Sequence, residues 1–562
     1  MPAPKFPPFN LSFEKHDWVL GRVLEYQAAH RAQRPFLQWT GEGSAYSFAE
    51  TNRIVNRIAH GLRQLGLKKG DIIIVMMPNS LEFIFTWFAA NKLGAVEAPI
   101  NTAYKGSFLE HQVNTAKAKI MVIADEFLDR VYASEERMPS LETVVVWSRD
   151  GQTDTDRVPF KRLRTVAFTD VMSTDESNPN VDVDCRDLAA IVFTSGTTGP
   201  SKGVMMPHAQ LYFFSEQNVQ LVRLSEDDCY MTTFPLFHGN AQFLTVYPCL
   251  IVGARCVVYE RFSASEWVEQ LWSSGATVTN SLGVTQTFIH SQAPSERDKG
   301  HDLRCIFAVP TAWNILPAFK ARFGVAEFAE VFGQTEISLP FMTPPGAERP
   351  AGSCGVLVDQ WFDVRLVDPD TDEEVPVGDV GELLVRHKEP WTISIGYFGM
   401  PERTLDSTRN LWFHTGDGLR RDADGWYYFV DRVNDALRRR GENISSFEVE
   451  APIEEHPAVA ECAVVAAPAE HEAGEDEVKA CIVLNRGATL TPETLIAWCD
   501  ERMPHFAVPR YVEFMDSLPK TPSEKIQKNM LRKDPLNERT WDRLRAGVKL
   551  RDEVARAQRR RD

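Results

Sequence analysis

Positive charge is what this sequence has too little of. Its 61 lysines and arginines face 78 aspartates and glutamates, a formal net charge of −17 over 562 residues. A surface of that sign repels phosphate backbones and anionic headgroups, which argues against a general nucleic-acid binder or an anionic-membrane binder. An anionic ligand must therefore be met by cations gathered locally. Paired cysteines are missing too. Cys185, Cys229, Cys249, Cys256, Cys305, Cys354, Cys462, Cys481 and Cys499 show no CxxC spacing. Thiols scattered through apolar segments suit a reducing compartment rather than a disulfide scaffold. The opening "MPAPKFPPFNLSF" has no charged stretch followed by an apolar run, so no secretory leader is expected. Long apolar runs are also absent. The most apolar segment, "SLEFIFTWFAANKLGAVEAPI", is interrupted by Glu82, Asn91, Lys92 and Glu97 and reads as a core helix followed by a strand. The expectation is a cytoplasmic protein with no integral membrane segment.

What is present is an ordinary globular balance, 43% hydrophobic and 25% charged, with ample length for a large core. "FAETNRIVNRIAHGLRQLG" (48–66) has apolar residues at helical spacing and stops at Gly66, and "DIIIVMMP" then reads as a buried strand. Helices and strands alternate in this way to about residue 330, which predicts α/β architecture with largely buried sheets. Residues 352–431 change to short strands ("DVRLVD", "GELLVR", "GWYYFVD") between Gly, Pro and Asp turns, a β-rich subdomain. From Arg432 a basic turn, a helix and further strands form a small α+β unit. The charged end, "WDRLRAGVKLRDEVARAQRRRD", reads as a peripheral helical tail.

The chemically richest stretch is "AAIVFTSGTTGPSKGVMMPH", Ala189 to His208. Gly196, Gly199 and Gly203 let the backbone turn its N–H groups inward. Ser195, Thr197, Thr198 and Ser201 add hydroxyls, and Lys202 brings one positive charge. These are the parts of an anion nest. It is not a Walker A loop, which needs Gly where Ser201 stands and Ser or Thr where Gly203 stands. "GVMMP" reads instead as a returning strand, with Pro207 opening the next helix. On residue types alone, a polar surface hairpin is the competing reading.

"TSGTTGPSKG" resembles the phosphate loop of the adenylate-forming superfamily of acyl-CoA synthetases, peptide-synthetase adenylation domains and luciferases. Further matches follow in the family's order along nearly the whole chain. In "VFGQTEIS" the resemblance implies that Phe332 lies against adenine, with Gly333 and Gln334 beside it, Thr335 reaching the α-phosphate and Glu336 holding Mg²⁺. The family usually has Tyr where Phe332 stands. In "WFHTGDGLRRDADGWYYFVDR" it makes Asp417 the ribose carboxylate, places Phe429 and Arg432 on the nucleotide, and puts a hinge near Asn434. "RRRGENIS" brings Arg438, Arg439, Arg440, Gly441 and Glu442 to coenzyme A. "PKTPSEKIQKNMLR" supplies Lys525 for the carboxylate and phosphate oxygens during adenylation, with Glu524 where the family usually has Gly. "IFAVPTAW" puts Val309, Pro310 and Thr311 near adenine, and Thr194 joins the phosphate loop.

The resemblance extends to the acid. "TTFPLFHGNAQ" implies an acyl-pocket role for His238 and Asn240, and "ATVTNSLGVTQTFIH" lines the opposite wall with Asn280, Gly283 and Val284. Asn280, Ser281 and Thr285 make that wall less greasy than a long-chain tunnel, so small or medium acids are expected. "RRGENIS" and "GQTEISLPFMT" look closest to the carnitine/crotonobetaine-CoA ligase branch. The implied organisation is an N-terminal AMP- and acyl-binding domain (1–431), a hinge (432–436), a small mobile C-terminal domain (437–535) and a charged helical tail (536–562). The implied activity joins a carboxylic acid to coenzyme A with ATP and Mg²⁺, without nucleic acid, and leaves a homodimer open. Loading of a carrier protein in trans, a luciferase-like oxygenase and a non-catalytic nucleotide-binding scaffold are the alternatives.

Overall fold

The computed structural model describes residues 4–40, 43–155, 157–194, 201–313, 315–369, 371–432, 436–439, 442–469, 476–519, 526 and 528–551. Two seven-stranded sheets dominate the larger part. In the first, Arg164–Ala167, Thr143–Trp147, Ile120–Ala124, Ile72–Met76, Val96–Pro99 and Leu188–Thr194 run parallel, and Lys202–Pro207 returns antiparallel at the edge. The second runs Glu327–Ala329, Cys305–Ala308, Val278–Ser281, Cys229–Thr232, Arg255–Val258, Pro35–Trp39 and Tyr46–Ser47. The helix Leu81–Lys92 touches strands of both sheets. Nearly every one of its residues is buried, as expected of a helix that is apolar all round. The apolar run of the sequence is therefore a helix between sheets. The helix predicted over 48–66 is Phe48–Gln64, and Ser47 and Glu50 close a capping box at its start.

A three-stranded sheet (Val331–Gln334, Ser338–Met342, Val356–Leu357) and a four-stranded antiparallel one (Phe362–Val367, Val380–His387, Phe413–Arg421, Tyr427–Arg432) form the expected β-rich part. Beyond them the basic turn is a hairpin, Ala436–Arg439 with Glu442–Ser445. It is followed by the helix Ser446–Glu454 and a sheet of Val459–Pro468, Asp476–Leu484, Tyr511–Phe514 and Trp541–Asp542. This smaller unit leans on the helix Gly106–Ala116. Phe108 of that helix belongs to the smaller unit's apolar core, and Lys105 Nζ donates to Asp500 O at 2.5 Å. Gly106 has φ +55°, and a Cβ there would stand 3.2 Å from Arg502 O, so a side chain would be strained and crowded. All nine cysteines are buried, and among the described residues no helix is long and apolar enough to cross a membrane.

The reading of 536–562 as a helical tail is corrected where the structure describes it. Trp541–Asp542 is an edge strand, Arg543 is 1% exposed, and Leu550 packs in the smaller core. The charges misled because they are paired inside: Arg510 meets Asp542 at 3.0 Å and Glu477 at 3.5 Å. Truncation before residue 536 should thus strip Arg510 of a buried partner, at a cost of about 3–5 kcal/mol. Thermal unfolding should show the small domain melting early. A removable tail would leave the melt unchanged.

Candidate functional site

The site grows from the C-terminal end of the strand Leu188–Thr194, where open α/β sheets habitually place their ligands. Thr194 ends that strand, and Lys202 starts its antiparallel partner directly across from it. The segment between, with Ser195, Gly196, Thr197, Thr198 and Gly199, lies outside the described residues. Opposite stands the turn between Val331–Gln334 and Ser338–Met342. Two of its residues show why the sequence is so particular here. A Cβ on Gly333 would fall 2.2 Å from Ser338 O. Ser338 is held left-handed at φ +60°, with its hydroxyl donating to Thr392 O at 2.9 Å. Strain of this kind persists only where the surroundings fix it.

The turn aims Glu336, 8% exposed, at the strand end. Thr194 Oγ1 donates to Glu336 Oε1 at 3.4 Å and Tyr397 Oη to the same oxygen at 3.0 Å. Burial first, then the Glu336 charge, pushes the Tyr397 phenol well up, so it stays a donor. Lys202 Nζ lies 3.4 Å from Tyr397 Oη and 4.4 Å from the ring centroid. Thr194, Lys202 and Glu336, from distant segments, thus meet around a tyrosine that local sequence does not flag. Thr335 lies in the turn itself, its carbonyl accepting from Gln210 Nε2 at 2.8 Å.

Gln334 links this cluster to the expected ribose carboxylate, donating to Asp417 Oδ2 at 2.6 Å and to Thr415 O at 3.1 Å. Asp417 is 4% exposed. Its position is set by Glu382, which sequence reasoning missed. The Glu382 carboxylate accepts from the Gly416 N–H at 3.0 Å and lies 3.1 Å from His414 Nδ1. Phe332 and Phe429 stack with centroids 6.0 Å apart at 23°. Thr311 is held by a buried ion pair: its N–H donates to Glu330 Oε2 at 3.1 Å, and its hydroxyl accepts from Arg349 at 3.0 Å. Arg349 and Glu330 are 2.7 Å apart, with 4% and 7% of their side chains exposed.

The acyl-side residues also converge. Asn280 Nδ2 donates to Asn240 Oδ1 and, at 2.9 Å, to Thr245 Oγ1. Thr245 belongs to a single π-helical stretch, Gln242–Val246, a form that often marks functional sites. Gly283 and Val284 open the helix Gly283–His290, and a Cβ on Gly283 would lie 3.5 Å from Pro310 O, next to Val309 and Thr311. His238 is half-buried just before the short helix Gly239–Ala241, its ring 4.6 Å from that of Phe237.

One expected coenzyme A residue is overturned. Arg439 is 3% exposed: its Nη1 donates to Phe506 O at 2.9 Å and Val508 O at 3.0 Å, and its Nε stands 2.8 Å from Glu477. Strand alternation puts Arg439 on the same face as the buried Leu437, so its head is used inside the small unit. Arg440, Gly441, Asn434 and Lys525 lie outside the described residues, as do the side chains of Arg432, Arg438 and Glu442. A second residue unseen in the sequence is Glu448, whose Oε1 accepts from the Ser201 N–H at 2.7 Å. Burial lifts its carboxyl to about 7 against the opposing pull of the Ser201 hydrogen bonds.

Comparison with known proteins identifies the family and the fold. Residues 24–398 match the family described as AMP-binding enzyme, and residues 448–525 match the AMP-binding enzyme C-terminal domain. The chain is 31% identical over 497 residues to the crotonobetaine/carnitine–CoA ligase of Salmonella choleraesuis (strain SC-B67), covering 87% of this chain and 93% of that protein. The structure of an anthranilate CoA ligase in complex with anthranoyl-AMP superposes with a TM-score of 0.67 at 25% identity, covering 92% of this chain and 97% of that one. The o-succinylbenzoate CoA synthetase of Bacillus subtilis, bound with a product analogue, shares the fold with a TM-score of 0.78 at 22% identity and coverages of 93% and 99%.

The Arg349–Glu330 pair yields a stability test. Arg349→Met should leave the Glu330 charge buried without its partner, costing about 3–5 kcal/mol. Denaturant unfolding should show the loss, and the double replacement Arg349→Met with Glu330→Gln should recover part of it. A single variant as stable as the parent would contradict this role for the pair.

Proposed function

The chain belongs to the AMP-binding enzyme family as an AMP-forming acyl-CoA synthetase, and we propose that its substrate is a small or medium-chain carboxylic acid. It uses ATP, Mg²⁺ and coenzyme A. In the first half-reaction a carboxylate oxygen bonds to the α-phosphorus and the bond to the bridging oxygen breaks, releasing pyrophosphate. In the second, the coenzyme A sulfur attacks the acyl carbon. AMP leaves with the electron pair of the broken C–O bond, and the thiol proton goes to solvent.

The meeting of Thr194, Lys202 and Glu336 around Tyr397, beside the Gln334–Asp417 pair, carries this reading. In the proposal Lys202 brings a cation to the phosphates, a contact whose donor is charged and therefore strong. Asp417, fixed through Glu382 and Gln334, accepts from the ribose hydroxyls, and its two carboxylate oxygens suit a diol. Phe429, with an exposed face, and Phe332 behind it offer the adenine an aromatic surface. Val309, Pro310 and Thr311 present backbone along the same edge.

A magnesium ion fits the donor set. Glu336 is a hard, nearly buried carboxylate oxygen donor flanked by two hydroxyls. Among the described residues no group of three or more His, Cys, Asp or Glu could hold a metal, so the ion would take its other oxygens from phosphate and water. Once bound it neutralises phosphate charge.

Lys525 is assigned the carboxylate and α-phosphate in the first step, and Thr335 the α-phosphate. Arg432 serves the nucleotide, and Arg438, Arg440, Gly441 and Glu442 the coenzyme A side. The Asn240–Asn280 pair, His238, Gly283 and Val284 surround the acid, and their polarity favours acids shorter than fatty acids. The proposed domain plan places the pivot at 432–436, around Asn434. A cytoplasmic, homodimeric enzyme completes the proposal.

Acid-dependent exchange of labelled pyrophosphate into ATP, run across short, medium, aromatic and long-chain acids, tests the substrate range. Exchange should be fastest with a short, medium or aromatic acid, and fastest exchange with a long-chain acid would overturn it. Lys202→Ala should weaken productive ATP binding by about 1.5–3 kcal/mol, read as a raised KM for ATP. Asp417→Ala should weaken ATP and acyl-adenylate alike while leaving the order of preferred acids untouched. A changed order would move Asp417 into the acyl pocket.

A further inference from the structure

Ser201 closes the glycine-rich segment, and all of its polar groups are engaged. Its N–H donates to Glu448 Oε1 at 2.7 Å, its carbonyl lies 2.8 Å from His111 Nε2, and its hydroxyl accepts from Gln112 Nε2 at 3.4 Å. The residue is 2% exposed. His111 and Gln112 belong to the helix Gly106–Ala116, on which the small domain leans through Phe108. Glu448 comes from the helix Ser446–Glu454 of the small domain itself. One backbone N–H at the end of the proposed phosphate loop is thus held by a carboxylate from the other domain. The loop's ligand in the first half-reaction is also an anion. The Glu448 carboxylate and a bound pyrophosphate group would bring like charges to the same donor, in a site where little water screens them.

We propose that Glu448 is a positioning residue for the second half-reaction. When pyrophosphate has left, its carboxylate takes the Ser201 N–H and docks the small domain on the exit of the phosphate loop, so Glu448 and pyrophosphate exclude each other. The proposal rests on the two-step reading above. It gives that reading a directional element: departure of the first product frees the donor on which the second pose closes. The geometry also gives a part-buried carboxylate at the domain junction a donor, the N–H that closes the proposed phosphate loop.

The test uses the full chain and the acyl-adenylate of whichever acid gives the fastest pyrophosphate exchange. Thioester formation from that adenylate and coenzyme A is followed in a single turnover, with and without added pyrophosphate, and pyrophosphate exchange is measured separately. In the parent, added pyrophosphate should slow thioester formation. Glu448→Leu, lacking the acceptor, should slow thioester formation about tenfold, with exchange kept within about twofold, consistent with loss of a charged hydrogen bond. Glu448→Gln keeps an acceptor without the charge. It should retain most of the thioester rate but be inhibited by lower pyrophosphate concentrations than the parent, a shift that a merely structural role would not produce. Unchanged pyrophosphate inhibition in Glu448→Gln, or equal slowing of both half-reactions in a folded Glu448→Leu, would overturn the proposal. A parent that makes no thioester from the supplied adenylate would instead refute the two-step reading on which it rests.

Discussion

A carboxylate held almost out of water is the constraint around which this site is arranged. Glu336 is nearly buried, and the two hydroxyls that donate to it come from segments far away in the chain, Thr194 and Tyr397. Leaving such a charge unsolvated would cost several kcal/mol, so the fold must bring donors to it. The strand end supplies one, the subdomain loop that carries Tyr397 supplies the other, and Lys202 sits against the same tyrosine. In a chain of net charge −17, the fold here sets one lysine against the tyrosine that donates to Glu336. Gly333 and the left-handed Ser338 exist to hold the turn that carries Glu336 in that place.

The rest of the architecture supports this junction. Parallel strands converge on the phosphate-loop edge, and a helix buried on all sides fills the space between sheets. The β-rich part delivers Asp417 next to Gly416, whose backbone N–H is gripped by Glu382. The small domain reaches the loop exit through Glu448 and leans on the helix that also holds Ser201 through His111 and Gln112. Ser201 is thus tied both to that helix and to the small domain.

Much of this was legible in the sequence because it is local. The helix at Phe48–Gln64 follows from its period and capping box, and the returning strand Lys202–Pro207 from the residues between the glycines and Pro207. Glu336, Gln334 and Asp417 stand in motifs that are continuous in the sequence. What escaped was long-range. Tyr397, Glu382 and Glu448 act only because residues 61, 34 and 247 positions away come to them. Nothing in "SIGYFG" or "SSFEVE" announces this. Charge composition also misled where polarity was mistaken for exposure. Arg439 is consumed by the small core, and the stretch around Trp541 and Arg543 completes a sheet rather than forming a helix. Strand alternation at Leu437 and Arg439 was the one local clue to the first of these.

The central claim is that the acid is activated as a mixed anhydride with AMP before the thiol attacks. Isotope tracing tests that directly. The preferred acid, labelled with ¹⁸O in its carboxylate, is turned over with ATP and coenzyme A, and the AMP is analysed by mass spectrometry. A carboxylate oxygen that bonds to the α-phosphorus must leave with AMP when the thiol displaces it, so each AMP should carry one ¹⁸O. Unlabelled AMP, or label recovered in inorganic phosphate with formation of ADP, would contradict the account.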